Sequence, residues 1–362
     1  MVSKERPRIE SIQVIRVIAF ILIFLSHVEL IATGPIGVSL FLVLSGFCMT
    51  YAYLDRPEKT PSPGFVTNLK FVWGKVKKLY PLHVVTLIFV ALVIFGDLVL
   101  HRASGSEIAE QGGYFVANAF LLQSWIPWRD GYFSFNAVSW YLSTSVFSYF
   151  IFLWVFRAIQ SKDKKRIARL AGITLASMIL MAVILGIGQQ NFGWTKDIVK
   201  WVVYICPFYR AGDFIVGLVA GYIFVSTQKS LDGGVIHTVI QLIVIAVMTV
   251  QVLIYCSGNT ATNWTLTLFW LPTSVLCIYL FAVNKGMVSK TLSKSKALVW
   301  VGNISGEAFL IHQICIKAAE YLTKNKWIVA IIAFTATLLA AVVWRLVYKK
   351  VQTKVLSKRR NF

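Results

Sequence analysis

Residues 11–47 read SIQVIRVIAFILIFLSHVELIATGPIGVSLFLVLSGF, and this stretch decides the fold. Residues 14–25 carry one charge, Arg16, and residues 36–49 carry none. An apolar run, the turn Thr33-Gly34-Pro35 and a second apolar run describe one helix that crosses a membrane and another that returns. A hydrocarbon core about 30 Å thick needs about 20 apolar residues per helix. Working outward, residues 170–187, 239–255 and 327–343 repeat the pattern without a single charge. Of the 362 residues, 57% are hydrophobic and 14% charged, whereas a soluble chain carries about 25% charged residues. A water-exposed globule, a disordered chain, a collagen and a disulfide-stapled scaffold are excluded by that balance.

Ten helices are expected, at 12–33, 36–54, 81–100, 136–157, 170–189, 202–225, 235–257, 264–284, 298–320 and 327–347. The expected fold class is all-α, a polytopic integral-membrane bundle of about ten transmembrane helices. Alternate loops hold 27 and 6 Lys and Arg residues, and the excess places both termini in the cytoplasm. The same distribution argues against nucleic acid as the partner of the formal charge of +21, because the basic residues are dispersed between spans and build no single face. The chain reads as one transmembrane domain, 1–362, with short tails at 1–11 and 348–362, an uncleaved first helix and no fused extracytoplasmic domain. Residues 101–135 form the long outer connection, expected to lie in the interface or fold back as a lid. Residues 65–80 mix Phe65, Leu69, Phe71 and Trp73 with Lys70, Lys75, Lys77 and Lys78, an amphipathic surface helix that runs into the next span at Pro81. Gly217 and Gly221 have the spacing of close helix packing. Cys48, Cys206, Cys256, Cys277 and Cys315 form no CxxC and are odd in number, so neither a disulfide framework nor a metal site is expected.

Ionisable groups inside a membrane are costly and mark function by default. Arg16 and His27 are eleven residues apart, three helical turns plus roughly 20°, and so share one face of the first helix. From an inner end near Ile12, His27 lies about 22 Å along the axis, in the outer half of the bilayer. Imidazole is the side chain whose ordinary pKa suits proton abstraction near neutrality, which makes His27 the candidate base. A covalent acyl-imidazole is the competing use of the same ring. A snorkelling interface arginine is the plain alternative for Arg16, and a packing histidine for His27. Arg210 and Asp213, one turn apart, are either a self-neutralising pair or a charge that steadies a developing oxyanion. His312 either lines the same cavity or makes a structural hydrogen bond. Ser45 and Gly46 permit close helix approach.

These residues resemble the acyltransferase-3 family of integral-membrane O-acyltransferases, the type that acetylates bacterial surface glycans. Its pattern opens with an arginine and a histidine separated by ten residues, then G-V-x-L-F-F-x-L-S-G-F; Arg16, His27 and residues 37–47 fit, with Leu42 for the second Phe. Lys77-Lys78-Leu79-Tyr80-Pro81 looks like its basic R-R-x-x-P junction, and Trp140-Tyr141-Leu142-Ser143 is similar to W-[FY]-L-S. Arg210 to Gly217 resembles R-x-x-[ED]-F-x-x-G; Gly302 to Ser305 with Phe309 to His312 resembles the late G-x-x-S and Y-L-x-H motif. One departure stands out: where many relatives carry a glutamate after W-[FY]-L-S, this chain has Thr144-Ser145-Val146, which leaves His27 without an assigned acid.

The resemblance implies an acyl donor, usually acetyl-CoA, on the cytoplasmic side, and as acceptor the hydroxyl of a glycan or lipid-linked saccharide. It implies His27 and Arg16 as catalytic residues, with Arg210, Asp213, Ser45 and His312 in support. It also implies a bacterial cytoplasmic membrane and its lipid as the setting, no metal, and a separate extracytoplasmic chain as the partner if transfer is not completed here. Lys75, Lys77 and Lys78 are candidates to hold CoA phosphates, their alternative being loop charge that sets topology. The other functional class compatible with buried His and Arg is a polytopic transporter or exporter, but the internal repeats usual there are not seen.

Overall fold

The computed structural model describes residues 6–227, 234–258 and 260–360, all helix and connecting loop with no strand among the described residues. In chain order the first helices are α1 (Ser11–His27), α2 (Gly34–Tyr53), α3 (Phe65–Val76), α4 (Tyr80–Leu100), α5 (Gly105–Ala119) and α6 (Arg129–Tyr132). Next come α7 (Trp140–Gln160), α8 (Lys164–Asn191), α9 (Lys196–Lys200), α10 (Pro207–Thr227) and α11 (Gly234–Cys256). The last are α12 (Thr262–Thr265), α13 (Leu271–Val283), α14 (Met287–Lys294), α15 (Lys296–Leu322) and α16 (Lys326–Arg360). Among the described residues seven helices are long and apolar enough to cross a membrane, and the α13–α14 pair, bent by 68°, makes an eighth if it counts as one span. Such a set defines a multi-pass membrane protein.

The expected first and ninth spans are α1 and α15. α1 is an apolar helix of 17 residues, and α15 carries Glu307 and His312, both buried inside the bundle. α4, α8, α11 and α16 surround them and leave Leu92, Val93, Ile173, Leu180, Leu253 and Leu339 exposed. Exposed apolar side chains in such number are the faces that meet lipid.

The first helix is shorter than the 12–33 read from hydropathy. It ends at His27 in a Schellman turn: Glu29 adopts a left-handed φ of 56°, its N–H donates to the Ser26 carbonyl at 3.2 Å, and the Leu30 N–H donates to the Leu25 carbonyl at 3.0 Å. Hydropathy continues through Leu30-Ile31-Ala32, so the stop is invisible to an apolar count; glycine is the residue expected at the left-handed position, and here it is Glu. The turn sets His27 at the helix end, where its ring opens sideways into a cavity.

α2 and α10 make the closest pair, and small residues are the reason. A Cβ on Gly46 would stand 2.0 Å from the Phe214 carbonyl oxygen, one on Gly217 2.1 Å from that of Val43, and one on Gly221 2.8 Å from that of Phe47. Without a hydrophobic drive between helices in lipid, such contact supplies the association energy. Gly46→Ala is therefore expected to destabilise the folded protein by about 1–3 kcal/mol, as overpacking does. Gly74→Ala, with nothing within 4 Å of the added Cβ, is its neutral control. Thermal unfolding of the two purified variants checks this.

Residues 101–135 fold back onto the bundle. α5 starts with a capping box between Ser104 and Glu107, and the segment is fastened by buried Asn118, whose carbonyl is 2.9 Å from His83 Nε2 and whose amide donates to Ser134 at 2.7 Å. α3 is amphipathic as expected, with Asn68, Val72 and Val76 buried and Phe65, Val66, Leu69 and Trp73 exposed. After a short turn, Pro81 occupies the first turn of α4, where its missing N–H costs nothing.

Candidate active site

His27, at the last position of α1, meets His312, from the middle of α15. His27 Nδ1 lies 2.7 Å from His312 Nε2, and the two rings are nearly parallel, 15° apart with centroids 5.0 Å apart. His312 Nδ1 in turn lies 2.7 Å from the Phe309 carbonyl oxygen. A carbonyl oxygen only accepts, so His312 carries its proton on Nδ1 and turns the lone pair of Nε2 toward His27. With both rings neutral, His27 then donates through Nδ1, and its own Nε2 keeps a free lone pair. The tautomer of the outer histidine is thus fixed by a backbone carbonyl two bonds away, the orienting role that a carboxylate plays in other histidine bases.

His312 is fully buried, with Phe20 edge-on at 5.8 Å and Phe24 tilted at 6.2 Å. His27 is exposed to a cavity of about 820 Å³ whose walls also include Tyr204, Trp140, Lys200, Arg129 and Gln313. Residues 129–138 form one side of this space, so the folded-back segment is part of its wall. Asn136 binds that side to α15 by donating to the Leu310 carbonyl at 2.8 Å, and Val138 N–H donates to Gln313 at 3.2 Å. Glu29 stands at the rim, paired with Lys326 at 2.8 Å.

Arg16 occupies a second, smaller cavity of about 140 Å³, with Ser45, Tyr141, Tyr149, Phe41 and Phe309. Ser45 Oγ and the Tyr149 hydroxyl are 3.0 Å apart. Among the described residues no carboxylate pairs with Arg16, and its Nε is buried without a hydrogen-bond partner. Phe41, Tyr141 and Phe309 lie 5.3 to 6.1 Å apart by ring centroid, and Phe309 is also 5.7 Å from the His312 ring. This aromatic group stands between the arginine chamber and the histidine pair.

The other sequence candidates fall elsewhere. Arg210 and Asp213 are completely buried and paired at 3.0 Å, and Arg210 also donates to Thr267 at 2.6 Å. Neither lines the histidine cavity, although Tyr204, which does, covers the guanidinium at 5.7 Å. Lys75, Lys77 and Lys78 have different surroundings. Lys75 donates to the Tyr53 hydroxyl at 2.5 Å, Lys78 approaches buried Glu307 at 3.7 Å, and Lys77 is exposed. Thr144 and Ser145, at the place of the missing glutamate, donate to the carbonyls of Ile205 and Tyr141 at 2.9 and 2.8 Å.

A multi-pass helical protein with a histidine pair opening on one cavity and an unpaired arginine in the next is the class that fold and site define. The chain matches the model of the acyltransferase-3 family, described as an acyltransferase domain, over residues 9–346, and it belongs to that family. It is similar to acyltransferase MdmB of Streptomyces mycarofaciens, with 25% identity over 197 residues, 52% of this chain and 46% of the relative. The chain thus matches about half the length of that curated relative. No solved structure matches it.

Sequence reasoning did not find Tyr204, Lys200, Arg129 or Gln313. Their signal is tertiary, since they come from three separate segments, residues 129, 200–204 and 313, that line one cavity only in the folded chain. The i, i+3 relation of Phe309 and His312 was available, and it is the local feature that fixes the tautomer of His312.

Proposed function

We propose that this chain is an integral-membrane O-acyltransferase of the bacterial cytoplasmic membrane. It moves an acyl group, acetyl in the first instance, from cytoplasmic acyl-CoA to a hydroxyl of a cell-surface or lipid-linked glycan. The observation that carries the reading is the chain of bonds from the Phe309 carbonyl through His312 to His27, ending in a free Nε2 on the wall of an 820 Å³ cavity. His27 Nε2 takes the proton of the acceptor hydroxyl as its oxygen attacks the thioester carbonyl. The C–O bond forms, the C–S bond breaks, and the imidazolium returns its proton to the departing thiolate. His312 accepts from His27 Nδ1 throughout and steadies the charge on the ring between those two transfers. A covalent acyl on His27 Nε2 uses the same lone pair and the same tautomer.

Arg16 serves this chemistry from its own chamber, where an unpaired guanidinium holds the donor by its polar groups. Arg210 and Asp213 support the wall through Tyr204, and Lys77 and Lys78 add attraction for an anionic donor at the inner surface. A separate extracytoplasmic chain is the partner if the acyl group passes outward in two steps. Membranes bearing the protein and supplied with labelled acetyl-CoA are expected to release CoA and to label glycan; no donor consumption overturns the reading.

The reading requires the N-terminal end of α1 to face the cytoplasm and residues 101–135 to face outward. With exposed Cys256 replaced by Ser, an impermeant thiol reagent is expected to label Ser106→Cys in intact cells and to label Lys165→Cys only after lysis. Both positions are exposed in the folded protein, so labelling reports the side of the membrane and not burial. The reverse pattern inverts the topology and sinks a cytoplasmic donor.

A further inference from the structure

We propose that Tyr204 is a further catalytic residue, whose hydroxyl donates to the thioester carbonyl oxygen as that oxygen takes up charge during transfer. This rests on the acyl-transfer reading above and adds the group which that reading lacks, a hydrogen-bond donor for the oxyanion inside the histidine cavity. Attack by the acceptor oxygen pushes the carbonyl π electrons onto the thioester oxygen, and the same electrons return when the C–S bond breaks. The phenol gives a hydrogen bond throughout and keeps its proton, which leaves the proton traffic to His27. A donor already in place lowers the barrier more than one that must turn to reach the charge. The histidine pair is occupied with the acceptor's proton, and Arg16 lies in a separate chamber.

Tyr204 and His27 line one cavity. Gly34, the first residue of α2, places the hydroxyl more closely: a Cβ there would stand 3.0 Å from Ser26 Oγ and 3.8 Å from the Tyr204 hydroxyl oxygen. The phenol therefore reaches the neighbourhood of the residue that precedes His27. Among the described residues its hydroxyl has no hydrogen-bond partner, and Tyr204 is half-buried, so the O–H is open to a ligand. Ser134, another hydroxyl of the wall, is by contrast engaged, since it donates to the Gly131 carbonyl at 2.7 Å.

Several interactions hold this ring and its backbone. The ring centroid is 5.0 Å from that of Trp140, another wall residue, and 5.7 Å from the Arg210 guanidinium. Residues 201–205 make a single π-turn, closed by the Cys206 N–H donating to the Trp201 carbonyl at 2.7 Å. Pro207 has no N–H to offer the Val203 carbonyl, and Thr267 donates to it instead. Arg210 donates to the same Thr267 at 2.6 Å, and Thr144 donates to the Ile205 carbonyl at 2.9 Å. The residues on either side of Tyr204 are thus fastened through their carbonyls, and its ring through a neighbouring cation. Single π-turns gather at functional sites. A tyrosine that only packs commonly gives its hydroxyl a protein acceptor when buried. Here the frame is rigid and the hydroxyl is left unbonded, which is the arrangement of a donor fixed in advance for charge that appears during the reaction.

The test is Tyr204→Phe, which removes one oxygen and keeps the ring between Trp140 and Arg210. The full chain in membranes is supplied with labelled acetyl-CoA and rising amounts of extracted membrane glycan. The kcat per inserted molecule is expected to fall about 10²- to 10³-fold, the loss that follows removal of one oxyanion donor. Both KM values are expected to stay within about threefold of wild type, as for an interaction made only in the transition state. The unfolding temperature is expected to be unchanged. A variant kcat within about threefold of wild type overturns the role and leaves the enzyme reading standing. A loss that more glycan overcomes makes the hydroxyl a grip on the acceptor and overturns the role as well. If the Phe variant unfolds early, Tyr204→Gln and Tyr204→Leu decide instead, because they are alike in size and differ in the donor. The Gln variant is then expected to turn over at least about tenfold faster than the Leu variant. Equal rates mean that the ring is structural and overturn the donor. Should wild type consume no acetyl-CoA, the acyl-transfer reading itself fails, a result distinct from an active enzyme indifferent to the hydroxyl.

Discussion

His27→Ala is expected to reduce acyl transfer by about 10² to 10⁴ per molecule of inserted protein, the range lost with a general base. The acceptor hydroxyl is a very weak acid, so its proton must leave as the C–O bond forms. Only a base within about 3 Å does this efficiently. His27 offers the one lone pair of the pair of rings that faces the cavity, because the other ring is sealed among Phe20, Phe24 and Phe309. The variant trims one polar side chain at the end of α1 and leaves the Schellman turn, made by backbone atoms, in place. Insertion and accumulation are therefore expected to be normal. A packing role predicts the opposite, lower protein level with near-normal turnover per molecule. Labelled-glycan yield divided by the amount of purified protein separates the two. Retention of more than about a tenth of wild-type turnover, far above what loss of a base leaves, removes His27 from the mechanism. Arg16→Ala is expected to impair transfer by an equal or smaller factor and to act on donor binding, since Arg16 lies in a separate chamber.

The fold was legible wherever a helix is long and uniformly apolar. α2, α4, α8, α11 and α16 fall within a few residues of their expected cores, apart from the polar extension of α16, because hydropathy alone dictates burial in lipid. Legibility ended where the backbone closes its own hydrogen bonds against hydropathy. The stop of α1 at His27 depends on a left-handed Glu29, and the break between α12 and α13 within the expected span 264–284 depends on Pro272 at the start of a helix. Another hidden feature is the π-turn of residues 201–205 ahead of α10, which presents Tyr204 to the cavity. Sequence gives such a turn no reliable mark.

The candidate site was half legible for a related reason. Arg16 and His27 share one helix, so the arithmetic of 3.6 residues per turn places them on one face. Their relations to other helices are of another kind. The sequence assigned His27 no acid, and among the described residues its ring is bonded to His312 and to no carboxylate: His312 and a carbonyl supply the polarisation. His312 was open between a cavity residue and a structural hydrogen bond; it is buried away from the cavity and makes the bond, one to its own helix and one to His27. The basic residues show the same limit of sequence reading. Lys75, Lys77 and Lys78 are clustered in sequence, yet Lys75 and Lys78 turn to different neighbours because α3 ends between them. Arg6, Arg8 and Arg56 are separated in sequence by the whole α1–α2 hairpin and meet at its open end.

His312→Phe is expected to lower transfer on the order of 10²-fold while His27 stays in place, in the way that loss of the group holding a catalytic imidazole does. Phe matches the size of the ring and keeps its aromatic neighbours, but it accepts no hydrogen bond. His27 is then free to exchange tautomers, and its Nε2 is occupied by a proton for part of the time. The imidazolium formed during the reaction also loses its acceptor. His312→Gln is the diagnostic partner, because a side-chain carbonyl there still accepts from Nδ1 and holds the same tautomer. It is expected to recover about a tenth or more of the activity lost in the Phe variant, which a purely steric role does not predict. In the His27→Ala background, both substitutions are expected to have little further effect, since residues that act as one unit are strongly non-additive. A His312→Phe protein with wild-type turnover, or one whose loss adds fully to that of His27→Ala, shows that the 2.7 Å contact is packing and that His27 is oriented by something else.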